Sequence, residues 1–265
     1  MKIKDYEDFK AEILKMTGIN LSSYKERQMK RRIESLIKKN NSENFDHYIQ
    51  VLKSDRALFN EFINYLTINV SEFYRNPEQW EVLEKEVIPF LLTRSKTLKV
   101  WSAACSTGEE PYSLVMLLTK FFSLSAIEII ATDIDKEALA KAQIGLYNRK
   151  SLENLPKDKI LKFFISEGDF YKIKDEVKKC VTFSQRNLLK DAYPSGCDLI
   201  VCRNVLIYFT EEAKVDIYDR FGKSLKPEGV LFVGSTEQII LSNRFHLTPL
   251  KTFFYKKDAG EGINE

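Results

Sequence analysis

Glu109, Glu110 and Asp133 are the acids whose setting suggests chemistry. The two glutamates lie within Leu98–Leu118, LKVWSAACSTGEEPYSLVMLL. There an apolar run, a turn of small residues and an amphipathic run read as strand, loop and helix. Asp133 closes a second apolar run, IIATD, 25 residues past Gly108. A turn of this kind lets a ligand approach the backbone. The helix start offers free N–H groups, and an acid at the next strand end accepts from ribose hydroxyls. The dinucleotide fingerprint is missing: Gly108 is the only glycine, and Ala103, Ala104, Cys105 and Ser106 fill the rest. There is no Gly-Lys-Ser/Thr phosphate loop. The pattern points to an adenosine-containing ligand without a pyrophosphate, a description that S-adenosylmethionine meets.

Each of these residues has a plainer reading. Asp133 is either a ribose acceptor or a turn acid, while Asp135, before KEALAKAQ, reads as the cap of the next helix. One of Glu109 and Glu110 suits the ammonium of the methionine moiety, and the other simply favours the helix dipole. Sequence does not separate them, and Glu109 is the preferred contact. Pro111 fits the first helical position. Asn187 follows the run VTFSQ, where its carboxamide can meet an adenine edge with donor and acceptor, or serve as a turn asparagine. Asn204 lies past DLIVC, at the sheet edge where open α/β folds bind ligands.

Positioning these groups requires alternating strands and helices. Strands are expected over Leu98–Ala103, Ile127–Thr132, Val181–Gln185, Leu199–Cys202 and Val230–Gly234, with a last edge strand near Thr252–Tyr255. Helices are expected over Pro111–Phe122, Lys136–Gln143 and Glu211–Leu225, so the fold class is α/β with a parallel sheet. Residues 1–70 lack strand-like alternation and read as an all-helical domain, with helices near Tyr6–Thr17, Lys25–Lys39, Asn44–Lys53 and Arg56–Leu66. A linker helix is expected in 71–92, the sheet domain in 93–258 and a frayed tail in 259–265. Residues 146–180 exceed a simple crossover and carry Phe163-Phe164 and Phe170-Tyr171 around Ser166–Asp169. They read as an inserted antiparallel subdomain, with an elaborate helical crossover as the alternative.

Composition bounds the rest. The chain has 265 residues, 44% hydrophobic and 30% charged, at net charge +3. That is room for one large core and a smaller domain, with no global charge that names a partner. Cys105, Cys180, Cys197 and Cys202 form no CxxC, and His47 and His246 are the only histidines, so reduced interior thiols and no metal site are expected. The N-terminus lacks a signal-peptide core and no run reaches the ~18 apolar residues of a membrane span, so a cytoplasmic protein without membrane insertion is expected.

Lys25–Lys39 holds seven Lys/Arg against Glu26 and Glu34. Met29, Ile33, Leu36 and Ile37 share one helical face, with Arg27, Arg31 and Lys38 opposite. Such a face is either simply solvated or a dock for an acidic partner, contacted by Arg27, Lys30, Arg31 and Lys38. The aromatic interleaving of single-stranded nucleic-acid binders is missing.

Six segments then coincide in order: TINVSEFYRN (67–76), WSAACSTGEEPYS (101–113), ATDID (131–135), QRNLL (185–189), CRNVLIYF (202–209) and GVLFVGSTEQ (229–238). Together they resemble the chemotaxis receptor methyltransferases, the CheR-type family, over nearly the whole chain. The resemblance implies a Rossmann-like S-adenosylmethionine-dependent methyltransferase sheet with a small inserted antiparallel β-subdomain and an all-helical N-terminal domain. It implies methyl transfer to glutamates on the cytoplasmic helices of chemoreceptors, yielding S-adenosylhomocysteine and serving adaptation. It implies cofactor contacts at Asn69, Ser71, Arg75, Glu109, Asp133, Asn187, Leu188, Arg203 and Asn204. A receptor glutamate is anionic at neutral pH and needs no general base; it needs alignment, for which Arg75 and Tyr208 are the catalytic candidates. Tyr208 between Ile207 and Phe209 also reads as a packing ring. A monomer is expected. A non-catalytic adenosine-ligand sensor and an RNA methyltransferase are the competing readings, although Arg203-Asn204-Val205-Leu206 stands where amine methylators often carry Asn-Pro-Pro-aromatic.

Overall fold

A computed structural model describes residues 3–259. The expected tail of 259–265 therefore lies, from Gly260 onward, outside the described residues. Two compact units emerge. One holds the described residues up to Asn69 together with Ile207–Asp216, and the other holds Val70–Leu206 and the chain from Ile217.

The first unit is built from α1 (Tyr6–Thr17), α2 (Glu26–Lys39), α3 (Phe45–Ser54) and α4 (Arg56–Thr67). Local chemistry sets three of the starts: Asp5, Asn44 and Asp55 accept from backbone N–H groups of the first turns. Gly18, at φ 74°, closes α1 in the left-handed conformation. The apolar faces meet around Phe9, Ile13, Ile33, Tyr48, Ile49 and Phe62, all fully buried. The α2 face is as expected: Met29, Ile33, Leu36 and Ile37 are buried, while Arg27, Arg31 and Lys38 are exposed.

The second unit begins with α5 (Pro77–Val82), a π-helical turn at Leu83–Val87 and α6 (Ile88–Leu92). This segment, expected as a linker, packs Trp80, Leu83, Val87, Ile88 and Leu91 into the unit's main core. The strands and helices that follow are β1 (Val100–Ala103), α7 (Glu109–Leu118), β2 (Ile129–Asp133), α8 (Lys136–Ile144), β3 (Leu146–Asn148), α9 (Lys157–Phe163), β4 (Phe164–Glu167), β5 (Phe170–Ile173), α10 (Asp175–Lys178), β6 (Val181–Gln185), β7 (Cys197–Cys202), α11 (Glu211–Ser224), β8 (Leu225–Val233), β9 (Leu247–Lys251) and β10 (Phe254–Lys257). Seven strands form one sheet in the order β6-β2-β1-β7-β8-β10-β9, parallel through β8 and antiparallel beyond it. The strand order reverses at β1/β7, the switch point where open α/β sheets bind ligands. The insertion is a three-stranded antiparallel sheet, β3-β5-β4, and not a helical crossover.

Two local expectations are corrected. Two strands, not one, end the chain, and β10 near Thr252–Tyr255 lies inside the sheet while β9 takes the edge. Pro249 hides β9 in sequence, because proline has no ladder N–H and is tolerated only at such an edge. Helix α7 starts at Glu109 behind Gly108, so Pro111 is third, not first. The first four helical N–H groups lack intrahelical partners anyway, so proline fits there too. The four cysteines are free and buried.

Candidate functional site

The parallel strands deliver the candidate residues at their C-terminal ends. After β1, the N–H groups of Ala104 and Cys105 donate to the Thr132 carbonyl at 2.8 and 2.9 Å. The Ser106 N–H donates to Asp133 Oδ2 at 2.8 Å, and the Asp135 N–H to Asp133 Oδ1 at 2.9 Å. Asp135 caps α8 as expected. Burial pushes the Asp133 carboxyl up to about 6, against the pull of these N–H bonds. Gly108 is at φ 96°, and a Cβ there would lie 2.8 Å from Ala142 Cβ and 2.9 Å from the Tyr147 hydroxyl. Only glycine fits, so the turn can sit directly on α8 and β3. Tyr147, from the inserted subdomain, donates to the Thr107 carbonyl at 2.7 Å and fixes the turn from below.

The two glutamates part company here. Glu109 is 3% exposed and accepts from Thr107 Oγ1 at 2.6 Å and from the Ser71 hydroxyl. Burial raises its pKa, and those hydroxyls only partly oppose it. Glu110 accepts from Ser102 Oγ at 2.7 Å; burial raises its pKa while the charge of Arg203 pulls it back. Glu110 therefore faces the arginines, whereas the charge of Glu109 is met by two hydroxyls and a backbone N–H.

Arg203 is 7% exposed, with its guanidinium 4.6 Å over the Phe232 ring. Its Nη2 donates to the Arg75 carbonyl at 2.8 Å, Gln79 Oε1 at 2.9 Å and Asn76 Oδ1 at 3.2 Å. Its Nε is buried without a partner among the described residues. Arg75 lies between Tyr74 at φ 51° and Asn76 at φ 59°, and its Nη1 donates to the Val70 carbonyl at 3.2 Å. Ala104 and Ser106 are also at positive φ, at 101° and 48°. Left-handed backbone at non-glycine residues is costly and gathers at ligand-binding segments.

Beyond β6, the Asn187 N–H donates to Asp191 Oδ2 at 2.7 Å, and its side-chain oxygen accepts from the Leu189 N–H at 2.9 Å, as in a turn asparagine. Leu188 is 8% exposed. Asn204, at φ 60°, donates its N–H to Glu237 Oε2 at 2.6 Å. Asn69 and Tyr208 belong to the helical unit. The Asn69 amide donates to Thr67 Oγ1 at 3.1 Å, and the Tyr208 carbonyl accepts from the Lys25 N–H at 2.9 Å.

Residues 69–254 match the CheR methyltransferase SAM-binding domain, and residues 4–67 match the CheR methyltransferase all-alpha domain. The chain belongs to the CheR methyltransferase family. It is 46% identical over 255 residues to a chemotaxis protein methyltransferase of Listeria innocua, covering 96% of this chain and 97% of that one. It is 34% identical over 258 residues to the chemotaxis protein methyltransferase of Escherichia coli K12, covering 93% and 88%. It is accordingly an S-adenosylmethionine-dependent methyltransferase of the CheR family.

The residues fit that cofactor. A buried anion met by two hydroxyls and a backbone N–H (Glu109) suits an ammonium, and a buried guanidinium with an orphaned Nε (Arg203) suits a carboxylate. Asp133 accepts from the N–H groups of Ser106, Ile134 and Asp135 and retains acceptor capacity for a ribose hydroxyl. Among the described residues, no group of three or more His, Cys, Asp or Glu side chains is placed to hold a metal ion.

Three supporting residues escaped the sequence reading. Glu237 accepts from three backbone N–H groups, those of Asn204, Leu206 and Gly234. Arg220 lies 4.0 Å over the Tyr193 ring and donates to the Leu188 and Asp191 carbonyls; the Tyr193 hydroxyl also donates to the Leu188 carbonyl, at 2.7 Å. Tyr147 holds the turn. Only Glu237 carried a signal, its place in GVLFVGSTEQ at a strand end. The others act from elements distant in sequence.

The Asp133 carboxyl yields a pH prediction. With its folded pKa raised from 3.8 to about 6, the unliganded protein gains stability from this group as pH falls through 6 towards 4 and loses it as pH rises. The expected contact of Asp133 with the ribose makes cofactor binding run the other way, since the hydroxyls need the anion as acceptor. The dissociation constant of S-adenosylhomocysteine, measured by calorimetry, is expected to be flat above pH ~7 and to rise about tenfold between pH ~7 and ~5. A flat profile down to pH ~5 contradicts the assignment of Asp133 to the ribose.

Proposed function

We propose that this chain transfers a methyl group from S-adenosylmethionine to glutamate side chains on the cytoplasmic helices of chemoreceptors, leaving glutamate methyl esters and S-adenosylhomocysteine, and thereby sets adaptation. When bound, the cofactor supplies a sulfonium methyl to which a carboxylate oxygen bonds as the sulfur–carbon bond breaks. Glu109, Arg203, Asp133, Ser71 and Asn69 hold the cofactor's polar ends, with Asn187, Leu188 and Asn204 lining its adenosine side. Arg75 orients the incoming carboxylate with its guanidinium fork, and Tyr208 does so with its hydroxyl.

The observation that carries this reading is the Arg75 loop. Its carbonyl is gripped by Arg203 and by Trp80 Nε1, and both neighbouring residues are held at positive φ. A cation fixed so firmly beside a methyl-donor site suits an anionic acceptor. The relatives' names, chemotaxis protein methyltransferase, support the receptor as its source. The test is incubation with methyl-labelled cofactor and a receptor cytoplasmic fragment. Base-volatile label on receptor glutamates is expected. Its absence while S-adenosylhomocysteine still binds overturns the reading.

The exposed Arg27, Arg31 and Lys38 of α2 meet the acidic receptor helices. Lys30 departs from that set: it is half-buried, with its ammonium 5.5 Å from the Tyr6 ring. Arg27→Glu/Arg31→Glu is expected to slow receptor methylation about tenfold at low salt, because each exposed pair is worth at most ~1 kcal/mol and is screened. Affinity for S-adenosylhomocysteine stays within about twofold, as remote exposed charges add little. Loss of cofactor binding in that variant contradicts the docking role.

A further inference from the structure

Within the helical unit, the segment that carries Tyr208 is not attached by side chains alone. Residues 23–25 and 208–210 run antiparallel as a two-bond ladder. The Lys25 N–H donates to the Tyr208 carbonyl at 2.9 Å, and the Thr210 N–H donates to the Ser23 carbonyl at 2.9 Å. Tyr24 and Phe209 form the bridge between them, with ring centroids 4.8 Å apart. Phe209 is 4% exposed and carries the ring packing of the strip, while Tyr208 beside it stays half-buried. Lys25 is the N-cap of α2 and makes no side-chain cap bond, so the ladder stands at the point where α2 begins. Arg27, the first exposed cation of that helix, is two residues away.

We propose that the Tyr24–Phe209 ladder is a positioning element for methyl transfer: it binds the backbone of Tyr208 to the N-cap residue of the recognition helix, so that the seat of an acidic helix on α2 and the hydroxyl that orients its carboxylate are tied together. The inference rests on the roles given above to Tyr208 and α2. A two-residue ladder with one ring pair is small enough to strain, and a displaced Tyr208 would still leave the cofactor's own contacts intact.

Lys25→Pro isolates the link. Lys25 has φ −57° and Tyr24 has φ −104°, ψ 153°, both compatible with proline at position 25, so the change deletes the N–H to Tyr208 with little other disturbance. Lys25→Ala removes the charge and keeps the N–H. Steady-state methylation of a receptor fragment is expected to show kcat reduced about tenfold in Lys25→Pro, with affinities for receptor and for S-adenosylhomocysteine within about twofold of the parent. Lys25→Ala keeps kcat within about twofold. Tyr24→Ala lowers kcat as Lys25→Pro does, and Tyr24→Phe restores it. If the ladder acts through Tyr208, Lys25→Pro costs nothing further in a Tyr208→Phe background, whereas independent effects multiply. Unchanged kcat in both Lys25→Pro and Tyr24→Ala, or multiplying effects in the double variant, overturns the proposal. A Tyr208→Phe enzyme with the parent's kcat instead sinks the role of Tyr208, which separates the two failures.

Discussion

Glu237→Ala is expected to destabilise the protein by about 4 kcal/mol and to abolish measurable cofactor binding, because it strips the acceptor from three backbone donors at once. Glu237 is 4% exposed. Its Oε1 accepts from the Leu206 N–H at 2.7 Å, and its Oε2 from the N–H groups of Asn204 at 2.6 Å and Gly234 at 2.9 Å. Each buried donor left without its acceptor costs about 1–3 kcal/mol. The carboxylate is seated against bare backbone: a Cβ on Gly234 would lie 2.5 Å from Glu237 Oε2 and 2.8 Å from the Asn204 nitrogen. The bare backbone of Gly234 is therefore what lets the carboxylate reach the loop that carries Arg203 and Asn204. Glu237→Gln keeps one oxygen but turns an amide towards a donor, and is expected to lose about half as much. Urea unfolding measures both. A loss below ~1 kcal/mol for the alanine variant contradicts the account.

The second large effect is on turnover. Arg75→Ala is expected to lower kcat for receptor methylation by about a hundredfold, equivalent to ~3 kcal/mol of lost alignment, while S-adenosylhomocysteine binds within about threefold of the parent. Attack by a carboxylate on a sulfonium methyl neutralises both charges, so a strong bond to the carboxylate does not by itself lower the barrier. What the guanidinium contributes is direction, since its planar fork holds both oxygens. Arg75→Lys supplies a point charge without the fork and is expected to recover only part of the rate. Single-turnover kinetics with labelled cofactor separates the steps. If the variant's KM for S-adenosylmethionine rises with kcat intact, Arg75 belongs to the cofactor and not to the acceptor.

These two residues also mark how far the chain can be read unaided. Arg75 lies inside TINVSEFYRN, whose local pattern is distinctive, and so it was legible. The role of Glu237 was not, because two of its three N–H partners, those of Asn204 and Leu206, lie on another segment more than thirty residues earlier. Arg203 was legible as a site residue but not in its division of labour: one nitrogen holds the Arg75 loop, more than 120 positions away, and another is left without a partner. The helices of residues 6–67 were readable almost to their ends, because capping side chains and a 3.6-residue apolar period are local signals. Strand β9 was not, because proline masks an edge strand.

The sequence by itself determined the alternation of strand and helix, the small-residue turn, the acid at the end of β2, the extent of the insertion and the cationic face of α2, all of which are written in neighbouring residues. Only the tertiary structure decided which glutamate is met by hydroxyls and which by arginines, that residues 207–216 belong with the helical unit, and that 77–92 is core. Those outcomes depend on desolvation and on which charges and rings burial brings together. Such partners are set by the packing of elements far apart in the chain, and no local window contains them.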